Sequence, residues 1–261
     1  MRRDHKEIKR VVREGYARVA KHGIIGCSSN SCCGNKNKAK GISKIIGYTD
    51  RDINAVPDGS NMGLGCGNPV AIASLKRGET VLDLGSGAGF DAFLAARKVG
   101  ETGRVIGIDM TPEMIEKAEK NAKKGCYSNV EFRQGEIENL PVDNNSVDVI
   151  ISNCVINLSP DKESVFKEAF RALRPGGRLM VSDLVLLKDL PPAVKESIDA
   201  YVSCIAGAVR KNKYLGHIRS AGFREVKVVE QSDYPLLKDE KMEEKDIKDS
   251  VVSIKVHARK P

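Results

Sequence analysis

Three cysteines stand in segments whose composition sets them apart: Cys66 in GLGCGNP, Cys154 in ISNCVINL and Cys204 in YVSCIAGA. A thiolate is a soft ligand, and several drawn from distant chain positions suit a soft, thiol-seeking substrate. Between the first two lies a glycine-rich run, VLDLGSGAGFD at 81–91. Such glycines let backbone turn sharply and approach a ligand closely. Cys27, Cys32, Cys33 and Cys126 bring the count to seven. An odd number spread along an α/β chain argues against a secreted disulfide scaffold. No Cys-x-x-Cys occurs, which weakens zinc-ribbon and thioredoxin-type readings. The four histidines show no ligand spacing.

These residues need a framework. Residues 1–22 carry apolar Ile8, Val11, Val12, Tyr16 and Val19 near the helical period. Residues 23–41, rich in Gly, Ser and Asn, read as a loop bearing Cys27, Cys32 and Cys33. A short helix is expected within 42–55, and 61–69, with three glycines and a proline, reads as irregular. From residue 70 strands and helices alternate. Strands are expected at Thr80–Leu84, Arg104–Asp109, Val130–Gln134, Val147–Ser152 and Arg178–Val185, with helices near 89–99, 112–124, 161–173 and 191–209. The strands are short and rich in Val and Ile, as in a parallel sheet buried on both faces. Thr111-Pro112 reads as a helix cap followed by Pro at the first helical position. Arg174-Pro175-Gly176-Gly177 reads as a helix stop. A short helix at Tyr214–Ala221 then precedes strands Glu225–Glu230 and Val251–Ala258, which flank an exposed charged excursion at 235–249.

A chain of 261 residues suffices for one large α/β domain with appendages. The three expected regions are a cysteine-bearing helical cap at 1–69, a ligand-binding α/β domain at 70–187, and a C-terminal α+β part at 188–261 that completes the sheet and the thiol site. The absence of Trp excludes an indole cage for a quaternary ammonium. No apolar run approaches the roughly 18 residues of a membrane span, and MRRDHKEIKR lacks the apolar core of a secretory signal. A cytoplasmic location without membrane attachment is the expectation. The net charge of +8 has one local excess, at Arg2, Arg3, Lys6, Lys9, Arg10 and Arg13. It reads as the solvated face of a helix rather than a nucleic-acid footprint.

The run Gly85-Ser86-Gly87-Ala88-Gly89 follows an expected strand and opens an expected helix. Asp83 precedes it, and Asp109 ends the next strand, where an acidic side chain can bind ribose hydroxyls. The spacing is G-x-G-x-G, not the dinucleotide pattern G-x-G-x-x-G. Over about 70–230 this resembles class I S-adenosylmethionine-dependent methyltransferases, and it implies a Rossmann-like, mostly parallel seven-stranded sheet with an antiparallel last strand. The resemblance places Asp83, Gly85, Ser86 and Gly87 at the amino-acid end of the cofactor, and Asp109 on the ribose. It places Met110 on the adenine, Glu136 and Ile137 facing the base, and Asn153 near the methionine portion.

GLGCGNP, ISNCVINLSPDK and CIAGA, with the upstream cysteine loop, are similar to arsenite S-adenosylmethionine methyltransferases over roughly 5–230. That resemblance implies methylation and detoxification of arsenic(III), presented as arsenite or a thiol conjugate and held by Cys66, Cys154 and Cys204. It implies a further redox thiol, Cys32 or Cys33, and a reductant of the thioredoxin or glutathione type. The rival is a C-methyltransferase of the quinone-biosynthesis type, which NLPVDNNSVDVI fits equally well. Nucleic-acid methylation fits less well, because SNCVINL lacks the Asn/Asp-Pro-Pro-aromatic run. A non-enzymatic arsenic binder would leave the cofactor motif without purpose.

Overall fold

A computed structural model describes residues 4–22, 36–234 and 250–261. Cys27, Cys32 and Cys33, and the charged stretch 235–249, lie outside the described residues. The chain opens with α1 (His5–His22), α2 (Lys36–Ile45), α3 (Asp50–Asn54) and α4 (Pro69–Ile72). The alternating part runs β1 (Thr80–Leu84), α5 (Phe90–Val99), β2 (Arg104–Asp109), α6 (Pro112–Lys124), β3 (Val130–Gln134), β4 (Val147–Asn153), a 3-10 turn (Ile156–Leu158), α7 (Lys162–Ala172) and β5 (Leu173–Leu186). It closes with α8 (Pro192–Glu196), α9 (Ile198–Val202), α10 (Lys211–Ser220), β6 (Arg224–Asp233) and β7 (Val251–Arg259).

Apolar runs of Val and Leu in β1 and of Val and Ile in β4 leave both strands almost wholly buried, which is what helices on both faces of a parallel sheet require. Among the described residues the sheet has seven strands, ordered β3-β2-β1-β4-β5-β7-β6. The pairs from β3 across to β5 are parallel, and β7 is antiparallel to both β5 and β6. The expected mostly parallel sheet with an antiparallel ending is therefore present. One apolar core includes Leu84, Phe166, Tyr214 and Ile254. A second holds Val81, Phe93, Ala118 and Ile151. A third joins Val12, Leu184 and Val251 to the three cysteines.

Strand order reverses between β1 and β4, and such a switch point opens a crevice beyond the carboxyl ends of the strands. Leu84 pairs with Ser152, and Asn153 with Ser182. The glycine loop and Cys154 thus leave the sheet side by side.

Several local expectations are corrected. The helix expected over 191–209 is two short helices, α8 and α9, with Ser197 accepting the Ala200 N–H to start the second. The backbone then turns, and Cys204 stands in that turn with φ +66°. Just beyond it the chain lies tight on the 3-10 turn: a Cβ at Gly207 would fall onto the Asn157 carbonyl. Residues 36–41, read as loop, begin α2, and 69–72 form α4. Thr111 makes no side-chain cap on α6; its N–H donates instead to Asp109 (2.9 Å). β5 begins already at Leu173, because Arg174–Gly177 form an irregularity within the β4–β5 pairing rather than ending it.

Candidate active site

A cavity of about 340 Å³ opens at the switch point. Of the residues expected on the cofactor, Asp83, Gly85, Ser86, Gly87, Asp109, Met110, Ile137 and Asn153 all line it. Glu136 does not. It lies half exposed, gripped by Lys9 of α1 at 2.7 Å. Its neighbour Glu138 lines the cavity and is held by Lys9 (3.2 Å) and the Ser159 hydroxyl (2.6 Å).

The glycine loop is pinned from behind. Ser86 N–H donates to the Ile108 carbonyl (2.9 Å) and Gly87 N–H to Asp109 (3.0 Å). A Cβ at Gly87 would meet nothing within 4 Å, so that residue faces open space. Asp83 is buried, and its Oδ2 has no hydrogen-bond partner among the described residues. Burial and then the Asp91 charge push its carboxyl well above the usual range. Burial pushes Asp91 up to about 6, against hydrogen bonds from Tyr48 and Asn153. Two buried carboxyls, one with an unpartnered oxygen, call for a cation. The α-ammonium of S-adenosylmethionine meets that call, and Gly87 leaves room for the molecule. The residues present therefore fit this cofactor: Asp83 and Asp91 would hold its amino-acid end, and Asp109, whose oxygens already accept the Gly87 and Thr111 N–H groups, keeps lone pairs that would take the ribose.

The thiol half adjoins it. Cys66, Cys154 and Cys204 are all buried. The sulfurs of Cys66 and Cys154 and one oxygen of Asp183 lie within 4.8 Å of one another. The Cys204 thiol donates to the Cys154 carbonyl at 2.8 Å. Cys154 and Cys204 line the cavity, and Cys66 packs behind them. Hydrogen bonding to Cys204 and Cys66, and then burial, push the Cys154 thiol well above its ordinary range. Burial likewise pushes Cys66 up. Cys126 is exposed after α6, in another part of the structure. Cys32 and Cys33, expected to supply the redox thiol, lie outside the described residues.

Several residues near the thiols went unnoticed in the sequence. Asp183 is fully buried, accepts from the Tyr214 hydroxyl (3.0 Å) and the Leu184 N–H (2.9 Å), and is pushed by burial up to about 7. Lys162 is buried too, with its ammonium on the Asn157 and Ser159 carbonyls (3.3 and 2.9 Å). Burial brings Lys162 down to about 8 against the opposing charge of Asp183. An acid within the apolar run RLMVSDLVL was the available signal for Asp183. Tyr16, from α1, sets its hydroxyl 4.0 Å from the Cys204 sulfur.

Comparison with known proteins bears on the family and the fold. The family model for a methyltransferase domain matches residues 75–222. The chain is 45% identical to an arsenite methyltransferase of Halobacterium salinarum, over 99% of this chain and 68% of that protein. It is 36% identical to an arsenite methyltransferase of Aquipseudomonas alcaligenes, over 80% of this chain but only 59% of that protein. A crystal structure of an arsenic(III) S-adenosylmethionine methyltransferase from Chlamydomonas reinhardtii superposes with a TM-score of 0.68 at 33% identity, covering 84% of this chain and 73% of that one.

Proposed function

This chain belongs to the arsenite methyltransferase family, and from that premise we propose that it methylates arsenic(III) held by the thiols of Cys66, Cys154 and Cys204. The observation that carries the reading is the convergence of three buried sulfurs, from segments far apart in sequence, at one edge of the cofactor cavity. The rival C-methyltransferase gives that convergence no purpose.

Arsenite is As(OH)3 near neutral pH. Exchange of its three hydroxides for three thiols releases three waters, each hydroxide leaving with a thiol proton. No proton has to reach solvent, so thiols held protonated by burial are still competent ligands. Three As–S bonds leave a lone pair on arsenic. S-adenosylmethionine, when bound, supplies an electrophilic sulfonium methyl group. The protein contributes mainly placement: thiols and cofactor residues fixed on adjacent strand ends, an orientation effect that reaches about 7–11 kcal/mol in favourable cases.

Methylation leaves arsenic formally As(V). A fourth thiolate attacking one arsenic-bound sulfur forms an S–S bond and breaks that As–S bond. The electron pair returns to arsenic, and methylated As(III) stays on two thiolates. Cys32 or Cys33 is the proposed fourth thiol. An external dithiol or glutathione then reduces the disulfide by exchange. This cycle needs a reducing compartment, and the cytoplasm supplies one. Among the described residues no helix is long and apolar enough to cross a membrane.

Incubating the protein with arsenite, labelled donor and a thiol reductant, then speciating the products, tests the reading. Methylated arsenic is expected from the native chain. Cys154→Ser and Cys204→Ser should each lower its formation about 100-fold or more, while S-adenosylhomocysteine binds as before. Full activity in both variants would refute the thiol mechanism.

A further inference from the structure

Resting on the function proposed above, we infer that Asn153 is a positioning residue that ties the Cys66 segment to the amino-acid end of the cofactor site, so that donor and arsenic each bind more tightly when the other is present.

The Asn153 amide is committed on both sides. Its Oδ1 accepts the Cys66 N–H at 3.0 Å. Its Nδ2 donates toward the Gly67 carbonyl (2.8 Å), the Tyr48 hydroxyl (2.9 Å) and Asp91 Oδ2 (3.0 Å). Two amide hydrogens thus serve three acceptors, and the group grips the backbone before and after the Cys66 side chain. The segment lies flat on the amide. Gly65 has φ +107°, and a Cβ there would come within 2.7–2.9 Å of the Asn153 amide atoms. Cys66 therefore cannot move away from Cys154 without disturbing Asn153.

The other end of the chain of contacts reaches the cofactor. Asp91 lies in the first turn of α5, lines the cavity and accepts the Tyr48 hydroxyl on its second oxygen at 2.6 Å. Tyr48 and Asp91 are both buried, and Asp83 stands beside Asp91. An ammonium seated by the two carboxyls holds Asp91 ionised. An ionised acceptor makes the stronger hydrogen bond to the Asn153 amide, and that amide holds Cys66 against Cys154. The same link runs backward, because coupling between two binding equilibria is reciprocal.

The test needs no turnover. Cys66 alkylation by iodoacetamide, followed by mass spectrometry without arsenic, reports how firmly the segment is held. Saturating S-adenosylhomocysteine should slow it about 5-fold or more in the native protein. Arsenite should also bind more tightly by a similar factor with S-adenosylhomocysteine present. In Asn153→Ala both factors should fall to about 1. Tyr48→Phe keeps the direct Asp91–Asn153 bond, so a factor well above 1 should survive in that variant. A native protein indifferent to S-adenosylhomocysteine, or an Asn153→Ala variant with the full factor, would overturn the inference. If arsenite binds neither form, the function proposed above fails, and the alkylation arm still decides the link.

Discussion

Cys154 and Cys204 both stand in the left-handed region, at φ +59° and +66°. That conformation costs a residue with a Cβ roughly 1–2 kcal/mol, and glycine would escape the cost. Strain retained at two thiols of one cluster fits a need for the sulfurs themselves. Their partner Cys66 is placed by a different device, the close seating of Gly67 against β5. A Cβ at Gly67 would fall onto the Ser182 hydroxyl. Gly67→Ala should therefore push the Cys66 segment off the sheet and weaken arsenite binding about 10-fold or more, which is about 1.4 kcal/mol. Binding of S-adenosylhomocysteine should change far less. Calorimetric titration of each ligand separates the two effects, and equal losses for both would refute a local cause. The sequence showed that three glycines and a proline surround Cys66, and so that its backbone is special. It did not show that Ser182 is what the glycine avoids, because that contact joins positions over a hundred residues apart.

At the scale of elements, α1 is a cover rather than a free helix. It packs on α6 and α9, and Lys9, Val12 and Tyr16 face the cavity. Its apolar period was legible in the sequence, and Arg10 indeed pairs along the exposed face with Glu14. Lys9 departs from that solvated face by reaching Glu136 and Glu138 beyond β3. Periodicity within one helix carries no information on such a partner. The break between α8 and α9 was locally signalled by Ser197, which ends one helix and caps the next, and was passed over in favour of one continuous apolar stretch. Partly exposed ion pairs contribute about 0–1 kcal/mol. Lys9→Met should accordingly weaken S-adenosylhomocysteine binding by no more than about 5-fold. It should also flatten the salt dependence of that binding, since screening acts on the pair that is removed. Dissociation constants at low and high salt check this, and an undiminished salt slope would show that α1 is held by its apolar face alone.

For the molecule as a whole, the strand–helix alternation and the glycine loop were legible from periodicity and spacing, the antiparallel ending only through the family resemblance, and the strand order not at all. The electrical state of the buried site was not legible either, because it depends on which acids the fold places together. Asp83, Asp91 and Asp109 meet at the cavity, and burial raises all three. For Asp91 the folded value is about 6 against 3.8 unfolded. Below 3.8 both states carry the proton and the contribution to stability is complete. As pH rises through about 6, the unfolded chain has already released its proton while the fold still holds one, so stability is lost. At about 1.4 kcal/mol per pH unit the loss from Asp91 is on the order of 3 kcal/mol. Urea unfolding across this window should show the unliganded protein weakening as pH rises. Asp91→Asn should remove part of that slope, and saturating S-adenosylhomocysteine, whose ammonium favours the ionised carboxyls, should flatten it in the native chain. An Asp91→Asn variant with the native slope would show that Asp91 does not carry the proton. A native slope untouched by S-adenosylhomocysteine would place the ligand's ammonium away from this pair of acids.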